Sequence, residues 1–266
     1  MWHTVSKFTN MNELKLLLDE KVKKYNCKDF INNDPVQFVH AFHAQKDIET
    51  AALLASVIAW GNRTMIIRSG TKMLFNIMNG SPYDYVMSGK WSQLDANANI
   101  HRTFFVRDFI YLCRGLQHIY THHDTMERLF ADTDTWQGIT RLRHELAAAN
   151  SGVTTKHISN PTKCTGKPAS ACKRLHMMLR WLCRRDNIVD VGVWRNISPS
   201  QLMMPLDVHV ARVGRLLGLI TRKQNDRATV EQLTAKLSEF CPDDPVKYDF
   251  ALFGIGVEGI DKDIKL

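Results

Sequence analysis

The sequence predicts an all-α protein, and three observations carry that prediction. Apolar residues recur at helical spacings of three and four through most of the chain. Almost nothing alternates with period two, so few strands are expected. Capping residues and Gly or Pro breaks punctuate the periodic runs. With 44% hydrophobic residues in 266, the chain can bury a substantial core, with room for two lobes.

The elements follow in order. Residues 12–25 place Leu14, Leu17 and Leu18 on one face and lysines on the other. Residues 34–43 form a short helix opened by Asp34 and Pro35, a cap followed by a first-turn proline. Residues 47–60, with Ala51, Ala52, Leu53, Leu54, Ala55, Val57, Ile58 and Ala59, leave little polar surface and predict a buried helix. It breaks at Trp60-Gly61-Asn62-Arg63, either a glycine C-cap or a loop that touches a ligand. Helices are then expected over 64–78, 82–89, 103–120, 124–131 and 136–149. Residues 151–170, with Gly152, Pro161, Gly166 and Pro168, read as a long loop. Ser170 can cap a helix running to 185, with Leu175, Met178, Leu179 and Leu182 facing the core. A linker with one short helix near 198–203 leads to PLDVHVARVGRLLGL, Pro205 to Leu219. There Asp207 occupies an N-cap position, and Val208, Ala211, Leu216 and Leu219 fall at core-facing spacings. Arg212 and Arg215 share a wetter face. Residues 228–240 and 246–253 close the chain as helices, with Asp243-Asp244 before Pro245 as a capping signal.

The formal charge of +8 suits a nucleic acid or another anionic surface. From Lys163 through Arg185 there are seven lysines and arginines and no acidic residue, and Arg222, Lys223 and Arg227 add to them. That run is either a solvated basic face or a track for phosphates. Cys27, Cys113, Cys164, Cys172, Cys183 and Cys241 form no CxxC pair and no tight cluster, as for reduced cytosolic thiols. His118, His122 and His123 lack the HExxH context of a metal site, and no metal is expected. The first residues lack an apolar signal core and no stretch approaches eighteen apolar residues, so the expected location is cytoplasmic, away from membranes.

At Asp207 a resemblance enters. PLDVHVARVGRLLGL resembles the VDTHV-x-R-V-x-x-R-L-G-L segment of the helix-hairpin-helix DNA glycosylase superfamily. The matching positions are Asp207, His209, Val210, Arg212, Val213, Arg215, Leu216, Gly218 and Leu219. Residues 50–63 resemble that superfamily's early buried helix and DNA-facing turn, and 228–256 its closing helices. The blocks CKRLHMMLRWLCRRD, VDVGVW, ISPSQLMMPLDVHVARVGRLLGL and DPVKYDFALFGIGV resemble the uncharacterised bacterial DUF2400 group, which itself looks like a divergent glycosylase. Its lysine-to-aspartate separation is similar to that of the archaeal 8-oxoguanine glycosylases. Two features depart from the superfamily. Pro168-Ala169-Ser170-Ala171-Cys172-Lys173 stands where LPGVG-x-K is usual, with Ala169 at a glycine position. The four-cysteine iron–sulfur loop is absent, so no cluster is implied.

The resemblance implies a two-lobed helix-hairpin-helix glycosylase-like fold. Residues 47–185 would form a central domain ending in a degenerate hairpin, and 1–46 would join 186–266 in the second. It implies a monomer without cofactor that acts on damaged duplex DNA, removing a base such as an oxidised purine, with possible strand cleavage by an AP-lyase step. Asp207 and Lys173 would be catalytic, from opposite lobes. Lys163, Lys167, Arg174, Asn62, Arg63 and Arg212 would contact DNA. Trp60, Trp181 and Trp194 would form the base pocket or stack on bases. A non-catalytic nucleic-acid-binding protein and a structural or interaction protein of the same fold stand as alternatives.

Overall fold

Helical periodicity governs almost all of the computed structural model, which describes residues 10–164 and 166–259. The chain begins with α1 (Met11–Tyr25), capped by the Asn10 side chain, then the short α2 (Lys28–Asn32) and α3 (Gln37–His40). In α4 (Gln45–Val57) residues 48–57 are all buried, as their composition predicts. α5 (Arg63–Thr71) starts where the Asn62 side chain accepts from the Met65 N–H, and it continues as a π-helical turn over Lys72–Ile77. α6 (Pro82–Ser88) opens on a first-turn proline and ends at left-handed Gly89.

Two short strands, β1 (Asn99–His101) and β2 (Phe104–Phe105), pair antiparallel before α7 (Val106–His122). The helix expected from 103 is therefore delayed by this small ribbon. Residues 124–131 hold a 3-10 turn, Met126–Phe130, rather than an α-helix. α8 (Thr135–Ala148) is capped by Asp134. The stretch from Ser151 to Cys172 carries no helix among its described residues, so α9 (Lys173–Cys183) is approached from an irregular chain. Ser170 is not its N-cap. Its hydroxyl accepts from the Cys172 N–H, and Cys172 takes the cap position with φ 46°. A 3-10 turn at Pro199–Gln201 interrupts the linker.

α10 (Val208–Leu216) ends earlier than its apolar pattern suggests. Gly218 turns left-handed, its N–H donating to Arg215 and that of Leu219 to Gly214, which is a Schellman closure. Val208 is a correction: it is 69% exposed, not core-facing. α11 (Arg227–Ser238) is capped by Asp226, and α12 (Tyr248–Glu258) follows a 3-10 turn at Pro245–Lys247. Asp244 caps nothing with its side chain and binds Arg184 instead.

The helices form two clusters in contact. α1 and α10 both pack on α12, while α4 lies against α3, α6 and α9, and α7 against α8. The linker between α9 and α10 is fastened by buried charges. Arg180 and Arg184 are 3% and 5% exposed. Arg180 pairs with Asp190 at 3.2 Å and with Asp249 of α12. Arg184 reaches Asp190 at 3.0 Å, Asp244 at 2.8 Å, and Asp186. Further along, Glu49 of α4 accepts from Trp194 Nε1 at 2.7 Å, and Glu127 accepts the N–H groups of Arg195 and Asn196.

Asp190 is the carboxylate shared by both guanidiniums. Asp190→Ala leaves two buried cations under-compensated and is expected to destabilise by about 3–5 kcal/mol. Denaturant unfolding of the variant against wild type measures this; a loss below about 1 kcal/mol, the range of exposed pairs, would place the network among weak interactions.

Candidate active site in the cleft

Two helix starts meet at the candidate site. Asp207 precedes α10, and its Oδ1 accepts the N–H groups of His209 and Val210 at 2.9 Å each. These bonds hold the carboxylate in place through the main chain. Its other oxygen, Oδ2, lies 4.0 Å from Nζ of Lys173, the first residue of α9. The two side chains are 18% and 28% exposed. Lys173 Nζ also approaches Met177 Sδ at 3.6 Å.

The pair lies in a cleft of about 740 Å³, with Trp60, Arg63, Arg174 and Phe253 among its walls. The exposed side chains of Val208 and Val257 are on its lining. Behind it, a smaller cavity of about 50 Å³ has room for little more than water. Asp34, Asp207, Asp249, Lys173 and Arg180 supply its polar lining, with Phe30, Phe250 and Phe253 around them.

Asp34, Arg180 and Asp249 were not among the residues the sequence singled out for chemistry. Asp34 accepts from the Val36 N–H at 3.1 Å and lies 3.9 Å from Arg63. Burial raises its carboxyl above the ordinary range. Asp249 stands alone in the apolar run YDFALFGI, a signal that a charge is buried and paired. Burial raises its carboxyl to about 6, and the charge of Asp207 adds to that, against the lowering effect of Arg180.

The remaining candidates divide. Trp60 is half-buried on the cleft wall, stacked near His157 at 5.7 Å, with the Arg174 guanidinium 5.0 Å from its ring. Arg174 also donates to the Val57 carbonyl. Arg63 lies on the cleft wall, 5.7 Å from the Phe253 ring, while Asn62 is exposed beside it and caps α5. Trp181 and Trp194 are fully buried core side chains, which corrects their expected place at a base-stacking surface. Lys163 and Lys167 are exposed on the 151–170 loop and do not line the cleft. Arg212 is exposed and donates to the Gly256 carbonyl at 2.8 Å. His209 is beside Asp207, with Nδ1 3.2 Å from the same carbonyl.

The basic run from Lys163 to Arg185 is not one surface. Arg180 and Arg184 are buried in the ion network, and Arg185 donates to the carbonyls of Gly192 and Trp194. Arg222 and Arg227 pair with Asp226 and Glu231. In the irregular stretch before α9, the Ala169 main-chain carbonyl accepts from the Arg227 N–H at 3.1 Å. His118 pairs with Glu145 at 3.1 Å, and among the described residues no His, Cys, Asp and Glu group is arranged to hold a metal ion. The six cysteines are free thiols. No helix among the described residues is long and apolar enough to cross a membrane.

Residues 34–258 match the model of a family described as a protein of unknown function, DUF2400. No curated protein and no solved structure matches the chain.

The raised Asp249 carboxyl carries a pH signature. The native state keeps this proton where the unfolded chain, with an ordinary aspartate near 3.8, has lost it. Its contribution to stability is full below that value and is lost as pH rises through about 6. Asp249→Asn stays neutral throughout, so its stability should improve relative to wild type between about pH 4 and about pH 7. Denaturant titrations across that span test it; parallel profiles for the two proteins would remove the assignment.

Proposed function

The chain belongs to the DUF2400 family, whose description leaves its chemistry open, and we propose that it is a DNA base-excision glycosylase with Lys173 and Asp207 at the reacting centre. The observation that carries this reading is the approach of Lys173 Nζ to Asp207 Oδ2, at 4.0 Å, inside an open cleft. The two residues come from different helices and meet only through the fold. The resemblance of PLDVHVARVGRLLGL to the glycosylase segment supports the same residues.

The chemistry follows from the groups. A duplex base must leave the stack to reach such a cleft. Trp60 and Arg63 line the cleft wall, and in this reading they contact the extruded nucleotide or fill the gap it leaves. As the N-glycosidic bond breaks, its electron pair leaves with the base and positive charge develops at C1′. A carboxylate anchored by two N–H groups stabilises that charge without having to reorganise. The Lys173 amine adds its lone pair to C1′ and gives up a proton, for which Asp207 is the near acceptor. Opening of the sugar ring, with the proton going to O4′, then gives an iminium between Nζ and C1′. That species permits β-elimination of the 3′ phosphate, or returns to amine and sugar on attack by water.

The reading is tested with a panel of duplexes, each with one damaged base, assayed for base release and for a borohydride-trapped adduct. Asp207→Asn keeps the cap geometry and removes the charge, so base release should fall by about 100-fold or more, with DNA binding retained. Lys173→Gln should abolish the trapped adduct and any strand cleavage. Trapping that survives Lys173→Gln, or base release by Asp207→Asn at the wild-type rate, would remove these residues from the reaction. DNA binding with no base release across the panel would favour the non-catalytic alternative.

A further inference from the structure

A second concavity lies on the other side of α5 from the cleft. Arg63 and Ile66 line the cleft, whereas Met65, Arg68, Ser69 and Lys72 line this groove of about 650 Å³. Its opposite bank is the ribbon from Asn99 to Arg102. The two spaces adjoin across one contact, between Gly61 of the cleft wall, with φ +95°, and Arg102 of the groove. The Arg102 guanidinium packs over it so closely that a Cβ there would fall 2.5 Å from Nη1.

The groove lining holds Arg68, Lys72 and Arg102 and no acidic residue. Among the described residues neither Arg68 nor Arg102 has a carboxylate partner. Lys72 donates to the Asn99 carbonyl at 2.9 Å, which leaves two of its three donors for a ligand. This differs from Arg222 before α11 and Arg227 at its start, which are paired with Asp226 and Glu231. Asn76 and Asn99 add neutral polar groups. Arg68 and Lys72 are four apart, a spacing that sets neighbouring side chains about 5–6 Å apart along one helix face. The groove is also built on a rigid bank. His101 is 1% exposed, with Nδ1 at 3.0 Å from Ser69 Oγ and Nε2 at 2.9 Å from the Trp60 carbonyl. One imidazole thus ties α5, the ribbon and the cleft wall together.

We propose that this groove binds the phosphodiester backbone of the DNA strand flanking the nucleotide in the cleft, with Arg68, Lys72 and Arg102 on consecutive phosphates. The inference rests on the base-excision reading above and names a surface that the sequence did not indicate. An open groove lined by several cations, with no enclosed cradle, suits a strand rather than a single phosphate ion. Arg102 lines the groove and packs on Gly61 of the cleft wall, so the strand on either side of the extruded nucleotide is within reach of both.

The test is duplex binding across a salt series, using wild type, the double variant Arg68→Gln/Lys72→Gln, Lys173→Gln, and Lys23→Gln as an exposed control on α1. Arg68, Lys72 and Lys23 are all exposed, so each variant is expected to fold, which thermal unfolding checks. Each lost phosphate contact lowers the slope of log K against log salt by about 0.9, so the double variant should lower it by about two and weaken binding about tenfold or more at low salt. Lys23→Gln should change neither. Borohydride trapping by the double variant should persist at saturating DNA. A wild-type slope in the double variant overturns the groove assignment, while wild-type binding and trapping leave the base-excision reading in place. Competition by inorganic phosphate as effective as by duplex overturns the strand assignment in favour of a single-ion site. Binding of an acidic polypeptide in place of duplex, lost in the double variant, gives the groove to a protein partner. No duplex binding by wild type at low salt removes both proposals.

Discussion

Two guanidiniums buried one turn apart, Arg180 in α9 and Arg184 at its C-cap, constrain the architecture around the cleft. Arg180 and Arg184 have almost no contact with water, and a cation so placed requires carboxylates around it. No acidic residue of α9 itself is available, so the carboxylates come from elsewhere. Asp186 and Asp190 arrive from the linker, Asp244 from the turn before α12, and Asp249 from α12. The linker is thereby folded back on the helix it leaves, and α12 is tied to the same point. The value of these pairs lies in position more than in net stability, since desolvation offsets much of their Coulomb attraction.

The second anchorage is of opposite sign. Glu49 and Glu127 are buried carboxylates that collect N–H donors from Trp194, Arg195 and Asn196. The linker is therefore gripped by cations near its start and by carboxylates at its middle. What leaves this double grip is the segment ending in Asp207. Its approach to Lys173 is a consequence of a fixed path between α9 and α10 rather than of their mutual attraction. At 4.0 Å with both side chains partly exposed, that attraction alone is weak. In the proposed reaction, groups held by a surrounding scaffold, and not by each other, remain available to a substrate.

The helices were legible because periodicity and caps are local properties. Asn62, Asp134, Asp207 and Asp226 all cap the helices that follow them, and the apolar run of α4 is buried as its composition implies. Asp207 was legible as a cap from its position and as a site residue only through resemblance. The misreadings have a common cause. Arg180 and Arg184 belong to a basic run whose charges would ordinarily face water, and only tertiary contacts reveal that these two do not. Trp181 and Trp194 were expected at a surface because an aromatic side chain has the same local pattern in a core as on a platform. The groove beyond α5 was illegible for the opposite reason: Arg102 is thirty positions from Lys72 in sequence, and the ribbon brings it to Arg68 and Lys72.

The backbone gives an independent indication of where the fold is under constraint. Among the described residues six non-glycine residues have positive φ: Asn79, Arg102, Asp132, Ser151, Cys172 and Asn187. Asn and Asp tolerate that region because their short polar side chains bond locally, and Ser151 occupies the turn after α8. Arg102 and Cys172 have no such excuse. A residue held there costs roughly 1–3 kcal/mol and persists only where its surroundings impose it. Arg102 turns the ribbon so that its side chain covers Gly61, and Cys172 turns the chain immediately before Lys173. The π-helical turn that begins at Lys72 is a third departure from regular backbone, and it lies on the groove. These departures border the cleft or the groove beside it, so the residues that set Lys173 and the basic bank are fixed by the main chain as well as by packing.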